Sequence, residues 1–454
     1  MPTFDYDFLV LGGGSGGVRA ARTAAALGAR TAIVEAQALG GTCVNVGCVP
    51  KKLMVEGSHY RELFDGAAGF GWHIEGLQFD WDRLREQRQR EIGRLNDIYA
   101  TLLEDKGVEL VRGRARFCDP HCVEITQGQT QRRISGRYVL IATGSSPTFM
   151  DIPGAELGVI SDAMFSLRTQ PKRILIVGGG YIACEFAGIM HGFGSQTTLL
   201  YRGDQLLRHF DPDLGQHIAE AMQAKGITLL ANQQLSRIES RDDALHCTLN
   251  NQRTLTVDTV LYAIGRHPNT AALNLNCTGV NLGRRGEIVV DDHYTSNVDH
   301  IFAVGDVINK VTLTPVALAE GEYVARHLFG SSARRVDYTC IPTAVFTQPT
   351  MATVGLSESQ ARAQYPEVQV YKSSFRPLKH MLSGQQERTL LKLVVDPASD
   401  RVLGAHMVGD NAAEIIQGLA IALSAGLTKA QLDATVGIHP TTAEEWVTLR
   451  EPCS

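Results

Sequence analysis

Apolar and polar positions along the chain fall into a strand–turn–helix–strand pattern that occurs twice. The apolar run Phe8-Leu9-Val10-Leu11 enters Gly12-Gly13-Gly14-Ser15-Gly16-Gly17. An Ala/Arg-rich segment of helical propensity follows, and Thr31-Ala32-Ile33-Val34-Glu35 closes the unit. The second occurrence opens with Arg173-Ile174-Leu175-Ile176-Val177 and enters Gly178-Gly179-Gly180-Tyr181-Ile182-Ala183. A helix-like stretch then leads to Gln196-Thr197-Thr198-Leu199-Leu200-Tyr201. Two more apolar runs end on glycine, Val139-Leu140-Ile141-Ala142-Thr143-Gly144 and Val260-Leu261-Tyr262-Ala263-Ile264-Gly265-Arg266, and a third is Ile301-Phe302-Ala303-Val304-Gly305-Asp306. Beyond about residue 340, a strand-like run at 389–395 and a helical one at 412–425 carry no nucleotide motif. The pattern predicts an α/β chain with two Rossmann-like dinucleotide-binding domains and a C-terminal α+β domain. The segments are 1–148, 149–264, 265–338 and 339–454.

Length agrees, since 454 residues make about three domains at roughly 150 each. Apolar residues at 44% and charged residues at 20% exclude a disordered chain. The 45 glycines stand out beside only 16 prolines, which points to backbone crowded against ligands or tight strand–helix turns. A net charge of −5 argues against a nucleic-acid binder. There is no run of 18 apolar residues to cross a membrane, and no basic segment ahead of the first apolar run to make a signal peptide. The nine cysteines are odd in number and scattered, the usage of a reduced, cytoplasmic protein.

Each glycine loop carries chemistry. In Gly12-x-Gly14-x-x-Gly17 the glycines permit a tight turn and let a pyrophosphate approach a helix N-terminus. Glu35 lies 18 residues after Gly17, at the end of the next strand, and suits a free ribose 2′-hydroxyl. The second loop reads Gly178-x-Gly180-x-x-Ala183, and its second strand ends in Tyr201-Arg202 with Arg208 beyond. Cations where an acid would stand favour a 2′-phosphate, hence NADP over NAD; the alternative is two solvated arginines.

Cys43 and Cys48 sit in Gly40-Gly41-Thr42-Cys43-Val44-Asn45-Val46-Gly47-Cys48-Val49-Pro50-Lys51-Lys52. Five steps along a regular helix place two residues about 140° apart around the axis. A bond between them therefore requires a distorted helix, which Gly47 makes easier. A constrained pair can be a redox couple. Metal ligands and unrelated thiols are the alternatives, and no second Cys/His pair has the spacing to complete a metal site.

This segment resembles the redox-active segment of the glutathione reductases, members of the flavin-dependent pyridine nucleotide–disulfide oxidoreductases. The resemblance runs from Asp5 to Arg450. It implies FAD in 1–148, NADPH in 149–264, a central domain at 265–338 that completes the FAD site, and a dimerisation domain at 339–454 that builds a homodimer. It implies a redox-active Cys43–Cys48 disulfide, with Cys48 as the thiol facing the flavin and Cys43 as the interchange thiol that attacks the substrate. Lys51 resembles the lysine near flavin N5, with Glu185 as its partner. Tyr181 resembles the tyrosine over the nicotinamide pocket, Asp306 the aspartate on the ribityl chain, and Thr314 lies in the segment beside the flavin ring. Ser15, Thr42, Thr143 and Gly144 join the FAD contacts, and Ile182 and Gly265 the NADPH contacts.

Disulfide exchange needs a proton donor and a base, roles that an imidazole fills near neutral pH and that a carboxylate can orient. His439 and Glu444, in His439-Pro440-Thr441-Thr442-Ala443-Glu444, match the family's acid–base pair, which the other subunit supplies. Glutathione disulfide is the implied substrate. Ser15, Arg22 and Tyr99 match glutathione-binding residues, and Arg19, one helical turn before Arg22, adds positive charge. Glu322 departs from the family by standing where an arginine contacts glutathione. Either it points away, or a neighbouring cation offsets it, or the substrate is a less anionic relative of glutathione; the first two are favoured. Other readings are a modified glutathione disulfide, another small disulfide, and less favourably a dihydrolipoamide dehydrogenase, whose usual Ile-Pro-Ser-Lys and second-site acid are absent.

Overall fold

A computed structural model describes residues 3–453. The chain forms two compact units. The first comprises 3–53, 82–148 and 265–336, the second 54–81, 149–264 and 337–453.

The first unit is built on the strands β1 (Tyr6–Leu11), β2 (Thr31–Glu35), β3 (Glu109–Arg112), β4 (Arg114–Asp119), β5 (Cys122–Gln127) and β6 (Thr130–Ile141), in the spatial order β3-β2-β1-β6-β5-β4. From β3 to β6 the ladder is parallel, with Val10 beside Ile33 on one side and Leu140 on the other. The strand Ile301–Ala303 adds to β6, also parallel. Phe8 to Leu11 are all buried, which is why β1 reads as an unbroken apolar run: a parallel strand is covered on both faces. The edge is an antiparallel meander of β4, β5 and the first half of β6. Helix α1 (Ser15–Ala26) returns from β1 to β2, and the helix Thr314–Phe329 packs along it.

The second unit repeats the parallel arrangement. Its sheet runs Thr228–Leu230, Gln196–Leu200, Arg173–Val177, Thr259–Tyr262, Val159–Ile160. It also holds an antiparallel five-stranded sheet, Thr343–Val345, Met351–Gly355, Arg401–Val408, Thr389–Asp396, Gln369–Phe375, covered by the helix Ala412–Ser424. Leu391, Leu393, Met407, Ile416 and Trp446 form that core. The buried ammonium of Lys392 joins the antiparallel sheet to the nucleotide half of this unit. It reaches Asp211 at 2.8 Å, Asp213 at 2.8 Å and Glu358 at 2.7 Å. Asp211 also caps the helix Pro212–Ala224.

The pattern reads 1–148 as continuous, whereas 54–81 groups with the second unit. Its partners are distant in sequence: Ser58 accepts from Gln348 at 2.6 Å, Glu62 pairs with Lys225 at 2.8 Å, and Gly69 lies against the Leu382 carbonyl.

Candidate active site

The first glycine loop has the shape its sequence requires. Gly12 has φ +110°, donates its N–H to Val34 O at 2.9 Å, and sits so close to Ala142 O that an added Cβ would lie at 2.3 Å. A Cβ at Gly17 would lie 2.0 Å from Gly12 O, so helix and strand can approach only with glycine there. Gly14 is the N-cap of α1 and offers no side chain to the first-turn N–H groups, and a Cβ there would enter nearly open space. An open, uncapped helix N-terminus is a phosphate site. Glu35 is fixed beside it, Oε2 accepting from Gly13 N and Oε1 from Gln37 N, each at 2.6 Å, with lone pairs left for a ribose hydroxyl. Asp306 accepts from Ser145 Oγ at 2.6 Å, and Arg266 Nε holds that hydroxyl at 2.8 Å. Thr143 is pinned to Asn269 O at 2.8 Å, and Gly144 leaves open space where a Cβ would stand. Uncapped helix, fixed carboxylate and braced aspartate together fit FAD. The sequence reading missed Ser145, Arg266 and Asn269, although each directly follows or closely neighbours a glycine signal that it used.

The dithiol segment breaks its helix between the cysteines. Helix α2 (Gly41–Asn45) ends at Val46, with φ −143° and ψ 35°, and α3 (Cys48–Ala67) begins anew. Gly47 passes so near Thr42 O that a Cβ would lie at 2.7 Å. Asn45 Nδ2 donates to Leu39 O at 3.0 Å and Gly41 O at 2.9 Å, and Asn96 donates to Asn45 Oδ1 at 3.0 Å, so the loop is tied on both sides. The break brings the two thiols into hydrogen-bond contact, Cys43 half-buried and Cys48 exposed with Thr314 Oγ1 3.6 Å from its sulfur. The hydrogen bond to Cys48 pushes the Cys43 thiol well above its ordinary range; burial and the charge on Cys48 add to this, while Thr314 and Lys51 oppose it.

Polar groups of α1 line the same place. Arg22 Nε is buried without a hydrogen-bond partner, and the Ser15 hydroxyl lies against the Tyr99 phenol. Burial first, and then the Cys43 sulfur, raise the Tyr99 phenol, with Ser15, Arg19 and Arg22 acting the other way; all five groups are thus neighbours. Glu322 lies between two cations, 3.3 Å from Arg19 Nη1 and 2.9 Å from Arg326 Nε. Its charge is offset, and Arg19 is correspondingly engaged.

In the second unit Gly178 repeats Gly12: φ +141°, N–H to Leu200 O at 2.8 Å, and a Cβ that would lie 2.2 Å from Ala263 O. Ala183 takes the third place, its methyl 3.5 Å from where a Cβ on Gly178 would stand. Gly180 caps the helix Tyr181–Gly192 without a side chain and faces open space. Tyr181 is exposed in the first turn, and Ile182 follows it half-buried. Arg202 and Arg208 are exposed, with no ion pair among the described residues. These features fit a dinucleotide with an additional phosphate. Glu185 is buried here and accepts from Phe346 N at 2.9 Å, while Lys51 lies in the first turn of α3 in the first unit. Gly265 has φ +135° and open space around its missing Cβ.

His439 Nδ1 lies 3.1 Å from both carboxylate oxygens of Glu444. A capping box between Thr441 and Glu444 fixes the carboxylate. The His439 side chain is 82% exposed, beside the exposed Val436 and Ile438.

Comparison with known proteins agrees with this geometry. The family described as pyridine nucleotide-disulphide oxidoreductase matches residues 6–321, and its dimerisation domain matches 341–450. A glutathione reductase of Burkholderia cepacia is 47% identical over 450 residues, 99% of either chain. One of a Nostoc strain is 45% identical over 462 residues, covering 99% of this chain and 100% of that one. A chloroplastic/mitochondrial glutathione reductase of Pisum sativum is 42% identical over 461 residues, 99% of this chain and 83% of that one.

Proposed function

We propose that this chain, which belongs to the pyridine nucleotide-disulphide oxidoreductases and among them to the glutathione reductases, reduces glutathione disulfide to two glutathione molecules with electrons from NADPH. The observation that carries the reading is the Cys43/Cys48 pair, two touching thiols at a helix break, with the Cys43 thiol held protonated by that contact. Bound FAD and NADPH supply the two-electron transfer that opens a Cys43–Cys48 disulfide. The α1 N-terminus, Glu35, Thr143, Gly144 and Asp306 would hold FAD; Gly180, Arg202 and Arg208 would hold NADPH. Lys51, Glu185 and Tyr181 keep their roles on the resemblance alone. The domains proposed are 1–148 for FAD, apart from the segment 54–81 that groups with the second unit, 149–264 for NADPH, 265–338 central and 339–454 for dimerisation.

The residues then act in order. Ser15, Arg22 and Tyr99 receive the anionic disulfide beside Cys43. Cys43 holds its proton tightly, so it needs a base, and His439 of the partner subunit is that base. Cys43 attacks one sulfur of glutathione disulfide, the S–S bond breaks, and the imidazolium protonates the departing glutathione. The Cys48 thiolate next attacks Cys43 Sγ, releases the second glutathione and restores the disulfide. Glu444 orients the imidazole and stabilises its charged form.

The homodimer is supported by the matched dimerisation domain and by two features of the second unit. The exposed imidazole has no task within its own unit. Leu63, Phe70, Trp72, Leu378, Met381 and Leu382 also leave a broad apolar surface uncovered. A cytoplasmic site of action belongs to the same proposal, since a reaction that yields thiols serves a reducing compartment.

Following NADPH absorbance with and without glutathione disulfide tests the reading. The expected result is rapid, disulfide-dependent oxidation that is much slower with NADH. Reduction of the flavin by NADPH without reoxidation by glutathione disulfide would overturn the substrate.

A further inference from the structure

A second pair of thiols lies at the far edge of the first unit, where β4 turns into β5. Pro120 and His121 make the turn, and Asp119 Oδ1 fixes it by accepting from His121 N at 2.8 Å and Cys122 N at 2.9 Å. The ladder shifts register between Phe117 and Asp119, so Cys118 sits in a bulge. That irregularity brings Cys118 Sγ to 3.4 Å from Cys122 Sγ and 3.5 Å from Cys122 O. A disulfide needs about 2.05 Å, so closure requires the sulfurs to approach by only about 1.4 Å.

We propose that Cys118 and Cys122 form a second, reversible dithiol–disulfide site, closed by exchange with a low-molecular-weight disulfide such as glutathione disulfide.

The pair is asymmetric in the way such exchange requires. Cys118 is exposed and can be reached by a small disulfide; Cys122 is half-buried behind it. Burial, followed by the hydrogen bond to Cys118, pushes the Cys122 thiol up to about 12, so the exposed Cys118 is the thiol that meets the disulfide first. Arg116 and Arg133 flank the thiols and offset the carboxylates of Glu124 and Asp119, so an anionic disulfide meets no net negative charge there. Cys277 is a third thiol within electrostatic range of Cys118, but it donates to Asn274 O at 3.1 Å and has its own partner.

The chemistry balances without a further reactant. The Cys118 thiolate attacks glutathione disulfide, forms a mixed disulfide and releases one glutathione. Cys122 gives its proton to water and attacks Cys118 Sγ, the mixed disulfide bond breaks, and the second glutathione leaves as a thiolate that takes up a proton from water. Two protein thiols are oxidised and one glutathione disulfide is reduced to two glutathione molecules. Dithiothreitol or excess glutathione reverses the exchange.

The test treats the purified holoenzyme with glutathione disulfide in the absence of NADPH, then alkylates, digests with trypsin and weighs the peptide from Phe117 to Arg132, which holds both thiols. The expected product is lighter by two hydrogens, with neither thiol alkylated, and reverts with dithiothreitol. In Cys122→Ser, Cys118 should instead keep a stable glutathione adduct. Turnover of the reduced Cys118→Ser enzyme should match the wild type. Full alkylation of both thiols, a stable adduct on wild-type Cys118, or a bond to Cys277 would each overturn the proposal. None of the mass readouts depends on whether the enzyme turns over glutathione disulfide.

Discussion

Charge at single residues decides how the candidate site meets its substrate. Glu322 is the informative case, because an anion at a position where relatives use a cation should repel a carboxylate-bearing disulfide. Its two oxygens are instead engaged by Arg19 at 3.3 Å and Arg326 at 2.9 Å. The cost is that Arg19 faces Glu322 and has less charge to offer the substrate. Exposed ion pairs contribute about 0.2–1 kcal/mol, so releasing Arg19 should matter modestly. Glu322→Gln is expected to lower KM for glutathione disulfide up to about fivefold with kcat unchanged, the limit set by that energy. Steady-state kinetics over a range of salt concentrations check it, and the difference should shrink as salt rises.

At the scale of elements, the strand–turn–helix units were legible because sequence and geometry coincide there. At Gly17 a side chain would collide with the backbone of Gly12 five residues earlier, so local sequence states the requirement, while Gly12 and Gly178 are legible by their place in the glycine loop although their clashes are with the distant Ala142 and Ala263 carbonyls. The cysteine segment was legible for the same reason: Gly47 allows the break that separates α2 from α3. What the sequence hid depends on distant partners. Ser145 gains its position through Arg266, Glu322 through Arg19, and the segment 54–81 its unit through Gln348 and Lys225. Buried polar groups in the antiparallel sheet were hidden likewise. His406 donates from Nε2 to Leu356 O at 3.0 Å and accepts at Nδ1 from Thr353 at 2.5 Å, an arrangement for the neutral ring. Burial drives its pKa from 6.5 down to about 4. The folded state therefore binds fewer protons than the unfolded one between those values. The stabilisation is full above the unfolded pKa and is lost as pH falls towards the folded one, by about 3 kcal/mol in total. Urea unfolding at about pH 7 and about pH 4 should show this loss in the wild type and a smaller one in His406→Asn.

For the whole molecule, the account requires two copies of the chain. Within one chain His439 and Glu444 form an oriented acid–base pair that faces outward, and Cys43 holds a proton that needs such a base. In the proposed two-fold dimer each subunit would lend His439 to the other, which would answer both needs. The most direct test is complementation between two inactive variants. Cys43→Ser and His439→Ala should each be nearly inactive alone, the first by loss of the nucleophile and the second by about 100-fold or more. Co-expressed, half of the dimers should be mixed, and each mixed dimer should carry one intact site, Cys43 from one subunit and His439 from the other. The co-expressed mixture should reduce glutathione disulfide with NADPH at about one quarter of the wild-type rate. If mixed dimers are isolated and prove as inactive as either parent, the acid–base pair does not serve the other subunit's thiols, and the central claim is contradicted.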